Sequence, residues 1–242
     1  MLIVDGRFVL FGASHVVAVT IILVICSLIY IFRVKLRESQ YYNLIRIGLG
    51  VLILVQELSL SIWRYQNDLW KIQTSLPLHL CGLAVLSTAI ILFTKSEKFF
   101  QKIFFLMMIG AFLALVTPGI SPQYGFPHFR FFQFFTSHGL IVINFSFILF
   151  VMNFQKNIRY IHLLYNFISG LLVALVMYGF NLLFDANYLY LMAKPGVGTA
   201  FDLFGDHPWY LLNILIFGVP IFYHLFYFPF FLKKILFKIK ST

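Results

Sequence analysis

The sequence predicts an all-α integral membrane protein, a polytopic helix bundle with about seven transmembrane helices. Of its 242 residues, 61% are hydrophobic and only 11% are charged. A soluble domain of this length needs far more polar surface to cover its core. Apolar runs of about 18 or more residues recur along the chain, which is the signal of membrane-spanning helices. We therefore expect residues 1–242 to form a single transmembrane domain.

Seven helices can be placed between charged, proline-rich or aromatic segments. A basic loop follows the first helix, and a loop with Asp68, Trp70 and Lys71 precedes the third. The fourth ends at a Thr-Pro-Gly turn, residues 117–119, and a long loop, residues 186–207, precedes the seventh. The predicted helices span residues 14–32, 43–65, 76–94, 103–120, 131–152, 160–184 and 208–232.

The distribution of basic residues predicts the orientation in the membrane. The loops after helices one, three and five, together with the C-terminal tail, hold twelve Lys and Arg residues. Cytoplasmic loops carry such an excess of positive charge. We therefore expect the N-terminus outside and the C-terminus in the cytoplasm, in a multi-pass protein of a bacterial plasma membrane.

The composition argues against several other classes of protein. The formal net charge is +10, but the basic residues sit in short loops without the interleaved aromatics of a nucleic-acid groove. Cys26 and Cys81 both lie in apolar segments, so no disulfide framework is indicated. No tandem metal-ligand spacing occurs in the sequence, and we predict no metal site and no cofactor.

Polar residues from different helices are predicted to converge near the outer membrane face. Ionisable groups are costly in a bilayer and normally face the bundle interior. Glu57 and Arg64 lie seven residues apart on one helix face. Glu57 is expected to form a buried pair with Arg64 or with a histidine, or else to relay protons. The predicted pocket residues are His15, Glu57, Arg64, His79, Asn144, Asn181, Trp209 and Asn213, around Cys81 and His138.

Cys81 is the candidate nucleophile and His138 its candidate base. With Ser75 as N-cap and Pro77 in the first turn, Cys81 lies one to two turns into the third helix, where the helix dipole favours a thiolate. His79, two residues earlier on the same helix, would point away, so the base comes from another helix. The alternatives are that Cys81 is a small buried apolar residue and that His138 only packs.

Several motifs resemble those of the YwaF-type bacterial integral membrane proteins. They are the Leu-Pro-Leu-His-Leu-Cys run at 76–81, Thr117-Pro118 ahead of 134–139, the stretch 187–195, and residues 202–205 with 208–210. That family is similar to eukaryotic multispanning ether-phospholipid acyltransferases and, more distantly, to the androgen-induced membrane hydrolases. The resemblance implies a membrane-embedded acyl-transfer site in which a cysteine and a histidine, matching Cys81 and His138, carry the chemistry.

Three functions follow as hypotheses. The first is a lipid acyltransferase or lipid ester hydrolase that uses a Cys81–His138 dyad near the outer leaflet, with a phospholipid or lysophospholipid as partner. The second is a non-enzymatic transporter or ligand-binding membrane protein with a proton-titratable pocket. The third is a seven-helix receptor or sensor.

Overall fold

The computed structural model describes residues 6–196 and 200–240, and across these residues every regular element is a helix. Short 3₁₀ and π segments connect or extend the α-helices. The α-helices are α1 (Ala13–Ile31), α2 (Arg33–Glu38), α3 (Tyr42–Gln66), α4 (Leu80–Thr94), α5 (Glu97–Val116), α6 (Phe129–Ser146), α7 (Ile161–Phe184), α8 (Trp209–Asn213) and α9 (Val219–Lys240).

Five helices are long and apolar enough to cross a membrane. They are α1, α3, α5, α7, and α6 with the π turn that extends it to Val151. Two shorter apolar helices, α4 and the continuous stretch Trp209–Leu225, complete the set. This architecture confirms the prediction of an all-helical, polytopic membrane protein.

Two predicted helix starts differ by four or more residues from those of the structure. The third helix begins at Leu80 rather than at residue 76, and the fourth begins at Glu97, six residues before its predicted start. Lys98 and Lys102 therefore lie in the first turns of α5 and not in a loop, because Ser96 caps this helix by accepting from the Phe99 N–H. The short helix α2 was not predicted.

The late start of α4 has a steric cause. Residues 76–79 turn back across the beginning of the helix, so the Pro77 backbone packs directly on Gly82. A Cβ at Gly82 would lie 2.6 Å from the Pro77 Cα. Ser75 does not cap α4, because its hydroxyl accepts from the Lys71 N–H at 3.0 Å instead. The N-cap position belongs to His79.

The central helix of the bundle is α6, which contacts α1, α3, α4 and α5. Most of its residues are buried, whereas few residues of α1 and α7 are. The outer faces of these peripheral helices are apolar, as Val17, Leu175 and Leu183 illustrate with 56%, 68% and 81% exposure. Such surfaces suit contact with lipid chains, and the protein is therefore in contact with membrane lipids.

Two arginines close the ends of neighbouring helices. The buried guanidinium of Arg46 donates to the carbonyls of Leu92 and Phe93 at the end of α4. Arg37 donates to the carbonyls of Phe150 and Val151 at 2.6 and 2.8 Å, where α6 ends in its π turn. The last carbonyls of a helix have no partner within it, and the negative end of the helix dipole favours a cation there.

Buried side chains also link helices through backbone groups. Asn166 of α7 is fully buried, accepts from the Phe105 N–H at 3.0 Å and donates to the Gln101 carbonyl at 2.8 Å. These are the two α5 groups that pair with each other in a regular helix. His15 donates from Nε2 to the Leu115 carbonyl at 2.8 Å, near the end of α5. Both contacts hold α5 in place.

Replacing Asn166 by Leu is expected to destabilise the protein by about 1–3 kcal/mol, because two backbone groups of α5 and the His162 carbonyl lose their side-chain partner in an apolar environment. Thermal unfolding in detergent measures this loss. Asn157→Leu is the matched control, since Asn157 is exposed and, among the described residues, its side chain bonds only to the Glu97 carboxylate. Equal unfolding temperatures for the two variants would contradict the role of Asn166.

Replacing Gly82 by Ala is expected to displace the turn at Pro77 and to cost about 1–3 kcal/mol through overpacking against a backbone that cannot yield. Gly179→Ala serves as the comparison, because nothing lies within 4 Å of a Cβ at that helical position. Alanine there should be neutral or slightly stabilising. If both variants unfold at the same temperature, Pro77 does not pack on Gly82 as described.

Candidate functional site

Cys81 lies in the first turn of α4, which is closer to the helix start than the sequence predicted. Its side chain is half-buried, and its sulfur faces α5, where a Cβ at Gly110 would lie 3.4 Å from Sγ. No side chain caps the N-terminus of α4. The thiol therefore lies beside helix N–H groups that have no side-chain acceptor.

His79 lies just before α4, in extended backbone with φ −70° and ψ 161°. The prediction that it points away from Cys81 assumed that both residues lie on one regular helix, and that assumption does not hold. The His79 ring packs between Tyr188 and Tyr190, with centroid distances of 5.0 and 4.8 Å. Its Nδ1 atom is buried and has no hydrogen-bond partner among the described residues.

The tyrosines beside His79 belong to a tightly held turn after α7. Tyr188 is fully buried and its hydroxyl donates to the Ile72 carbonyl and accepts from the Leu76 N–H. Asn181 bonds both backbone groups of Tyr188, at 2.8 and 2.9 Å. Asn181 thus holds the turn that covers the start of α4.

Tyr190 is fixed in the same turn and lies within electrostatic range of Cys81. Its carbonyl accepts a hydrogen bond from the hydroxyl of the fully buried Tyr210. Tyr188, Tyr190 and Tyr210 were not among the predicted site residues. Their signal was the tyrosine-rich motifs at 187–195 and 208–210, which were noted only for their resemblance to a family.

His138 lies on α6 and is half-buried. Its Nδ1 atom is 2.8 Å from the Phe134 carbonyl. A carbonyl only accepts, so Nδ1 carries the proton and Nε2 keeps a lone pair. Nε2 makes no hydrogen bond to the described residues. His138 therefore has the tautomer that a general base requires.

The depth of His138 relative to Cys81 follows from the packing of α3 against α6. Glu57 lies within electrostatic range of Cys81, and its neighbour Gln56 donates to the Gln133 carbonyl at 3.1 Å. His138 lies five residues further along α6, about 7.5 Å deeper. The hydrogen bonds of the described residues include none between Cys81 and His138, although α4 and α6 pack against each other.

Glu57 and Arg64 do not form a direct ion pair within the described part of the chain. Arg64 Nη1 donates to the Ser75 carbonyl at 3.3 Å. A second guanidinium, that of Arg130, interacts electrostatically with both Glu57 and Arg64. Arg130 donates to Gln133 Oε1. This group of one carboxylate and two guanidinium groups lies near the start of α4. Arg130 was not among the predicted pocket residues.

The remaining predicted residues lie elsewhere or have structural partners. His15 is buried and bonded at both ring nitrogens, since Nδ1 accepts from the Phe11 N–H at 3.0 Å. Asn213 donates to the Phe204 carbonyl at 2.9 Å, and Trp209 is 66% exposed. Asn144 is fully buried with both amide atoms unpaired among the described residues, six residues beyond His138.

The long loop before α8 carries ion pairs outside the spanning helices. Lys194 Nζ lies 2.8 Å from Asp206 Oδ1 and 3.7 Å from Asp202 Oδ1. The hydrogen bond with Asp206 raises the pKa of Lys194. The residues that the structure describes contain no group of three or more His, Cys, Asp or Glu that could hold a metal ion.

Comparison with known proteins gives relatives of two kinds. An uncharacterized protein of Treponema pallidum (strain Nichols) is 29% identical over 117 residues, which is 48% of each chain. The match thus spans about half the length of that relative. No solved structure matches the chain. The TMEM164 family matches residues 10–226, which is most of the sequence. The chain therefore belongs to the TMEM164 family, a family of membrane proteins.

Proposed function

We propose that this protein is a lipid acyltransferase or lipid ester hydrolase of a bacterial plasma membrane, with Cys81 as nucleophile and His138 as general base. The observation that carries the proposal is the tautomer of His138. Its Nδ1–H is held by the Phe134 carbonyl, so Nε2 has a free lone pair at membrane depth. The resemblance to acyl-transfer proteins at the motifs around Cys81 and His138 supports the same pair of residues.

The start of α4 offers hydrogen-bond donors to an oxyanion. The uncapped N–H groups in its first turn can stabilise the negative charge that develops on the carbonyl oxygen of the ester. His79 supplies a further polar group at the same place, with its buried Nδ1 atom unpaired.

Acyl-enzyme formation begins with proton transfer from the Cys81 thiol to His138 Nε2. The sulfur attacks the ester carbonyl carbon, and the resulting oxyanion lies at the start of α4. The carbon–oxygen bond to the glycerol then breaks, and the leaving oxygen takes the proton from His138 Nε2. The products of this step are a Cys81 thioester and a lysolipid.

Deacylation reverses the roles. The hydroxyl of an acceptor lysolipid, or water, gives its proton to His138 Nε2 and attacks the thioester carbonyl. The carbon–sulfur bond breaks, and the Cys81 thiolate recovers a proton from His138. No hydrogen bond joins Cys81 and His138 among the described residues, so the mechanism requires Cys81 Sγ and His138 Nε2 to come within hydrogen-bond distance when substrate binds. Catalytic hydrogen bonds often shorten only in the complex.

Replacing Cys81 or His138 by Ala is expected to lower acyl transfer by about 100-fold or more, because each removes a group that acts only in the reaction. The measurement is lipid analysis after purified protein is mixed with phospholipid and lysophospholipid. Cys26→Ala is the matched control, since that half-buried thiol lies on α1. If the folded Cys81→Ala and His138→Ala variants both keep full acyl transfer, the catalytic dyad is wrong and a transporter or ligand-binding protein is favoured.

The covalent intermediate gives a second prediction. After incubation with phospholipid carrying a labelled acyl chain, label is expected on Cys81 and is expected to be released by neutral hydroxylamine, which cleaves thioesters. Label should be absent in Cys81→Ala and retained in Cys26→Ala. Transfer without any bound label would argue for direct transfer and against a cysteine nucleophile.

A further inference from the structure

Two half-buried arginines beside the candidate site have more hydrogen-bond donors than the protein uses. A guanidinium carries five N–H donors in a fixed planar fork. Arg64 uses one of them for the Ser75 carbonyl, at 3.3 Å. Arg130 uses one for Gln133 Oε1. The remaining donors of both side chains have no acceptor among the described residues.

The charge at this place is unbalanced. Arg64 and Arg130 interact electrostatically with each other and share a single carboxylate, Glu57. None of the three takes part in an ion pair in the described part of the chain. Two like charges held together in a partly desolvated site repel each other, and an anion between them removes that repulsion.

Aromatic side chains also restrict the positions of the two arginines. The Arg130 guanidinium lies over the Trp63 ring, 5.6 Å from its centroid. Trp63 in turn stacks on Phe129, the first residue of α6, with 5.8 Å between centroids. Arg64 follows Trp63 directly on α3. The ring therefore positions one guanidinium and limits the movement of the helix turn that carries the other.

Their depth matches that of a lipid phosphate. Arg64 lies two residues before the end of α3, and Arg130 is the second residue of α6, so both are at the end of a membrane-spanning helix. Cys81 lies beside Glu57, seven residues or about 10 Å deeper along α3. In a glycerophospholipid the ester carbonyls likewise lie deeper in the membrane than the phosphate.

We propose that Arg64 and Arg130 form the subsite that binds the phosphate of the phospholipid substrate. A phosphodiester accepts two parallel hydrogen bonds from a guanidinium fork, which makes arginine well suited to this recognition. Neutral esters such as acylglycerols leave both arginines unpaired and are discriminated against. The inference rests on the proposed acyl-transfer function and adds to it the residues that recognise the phosphate of the headgroup.

Equilibrium binding to purified protein tests the subsite without turnover. The Cys81→Ala variant is titrated with lysophosphatidylglycerol and with monoacylglycerol of the same acyl chain. We expect the phosphate-bearing lipid to bind about 10- to 100-fold more tightly, as charge-assisted hydrogen bonds imply. In the Arg64→Gln/Arg130→Gln variant that preference should fall below about threefold, while monoacylglycerol binds as before. Arg159→Gln, which changes an exposed arginine before α7, should keep the full preference.

A competition experiment needs no arginine variant and separates the lipid from free anion. Millimolar inorganic phosphate is expected to displace lysophosphatidylglycerol and to leave monoacylglycerol bound. Displacement by phosphate at micromolar concentration would mean that the site takes the free ion, and would overturn the assignment to a lipid headgroup. Equal affinity for both lipids, or a preference that survives in the double variant, would overturn the subsite itself.

The two proposals fail separately. If Cys81→Ala retains full acyl transfer but the phosphate preference follows Arg64 and Arg130, the dyad is wrong and the subsite holds. If Cys81→Ala is inactive and the preference does not depend on the arginines, the subsite is wrong and the nucleophile holds. A conservative Arg64→Lys/Arg130→Lys variant should restore part of the preference, because charge is kept and the fork is lost.

Discussion

Every backbone N–H and carbonyl inside a membrane must find a partner within the protein, and this requirement organises the whole structure. Regular helices meet it along their length but not at their ends. Here side chains from neighbouring helices supply the missing partners. Arg46 and Arg37 donate hydrogen bonds to carbonyls at the ends of α4 and α6, and His15 donates to one near the end of α5. Each contact satisfies a backbone group and also fixes one helix against another.

The same requirement explains how a site forms at the start of α4. This helix has 15 residues, which is about 22 Å, whereas the hydrocarbon core is about 30 Å thick. Non-helical backbone must then lie at membrane depth, where it is tolerated only when buried by protein or lining a cavity. The turn containing Tyr188 covers it, and Asn181 holds that turn. A shortened helix thus leaves Cys81 recessed within the bundle rather than at its surface.

The sequence was sufficient for the fold class, because long apolar runs have few alternative structures. It could not give the start of α4, since the preference of Ser75 and Pro77 for helix starts was overridden by the packing of Pro77 on Gly82. His15 was predicted to line the pocket because the sequence cannot distinguish a buried histidine that binds a ligand from one that bonds a backbone carbonyl. Arg130 was missed because a basic residue at a helix end is also typical of a loop, and only its stacking on Trp63 distinguishes it.

Gly110 gives the Cys81 thiol an unusual position. Because this residue has no side chain, α5 can lie directly against the sulfur, and a Cβ there would be only 3.4 Å away. One flank of the thiol is therefore covered by the backbone of α5. In the proposed mechanism, an electrophile has to reach the sulfur from a flank that α5 leaves open. The missing side chain on one helix thus limits the approach to a thiol on another.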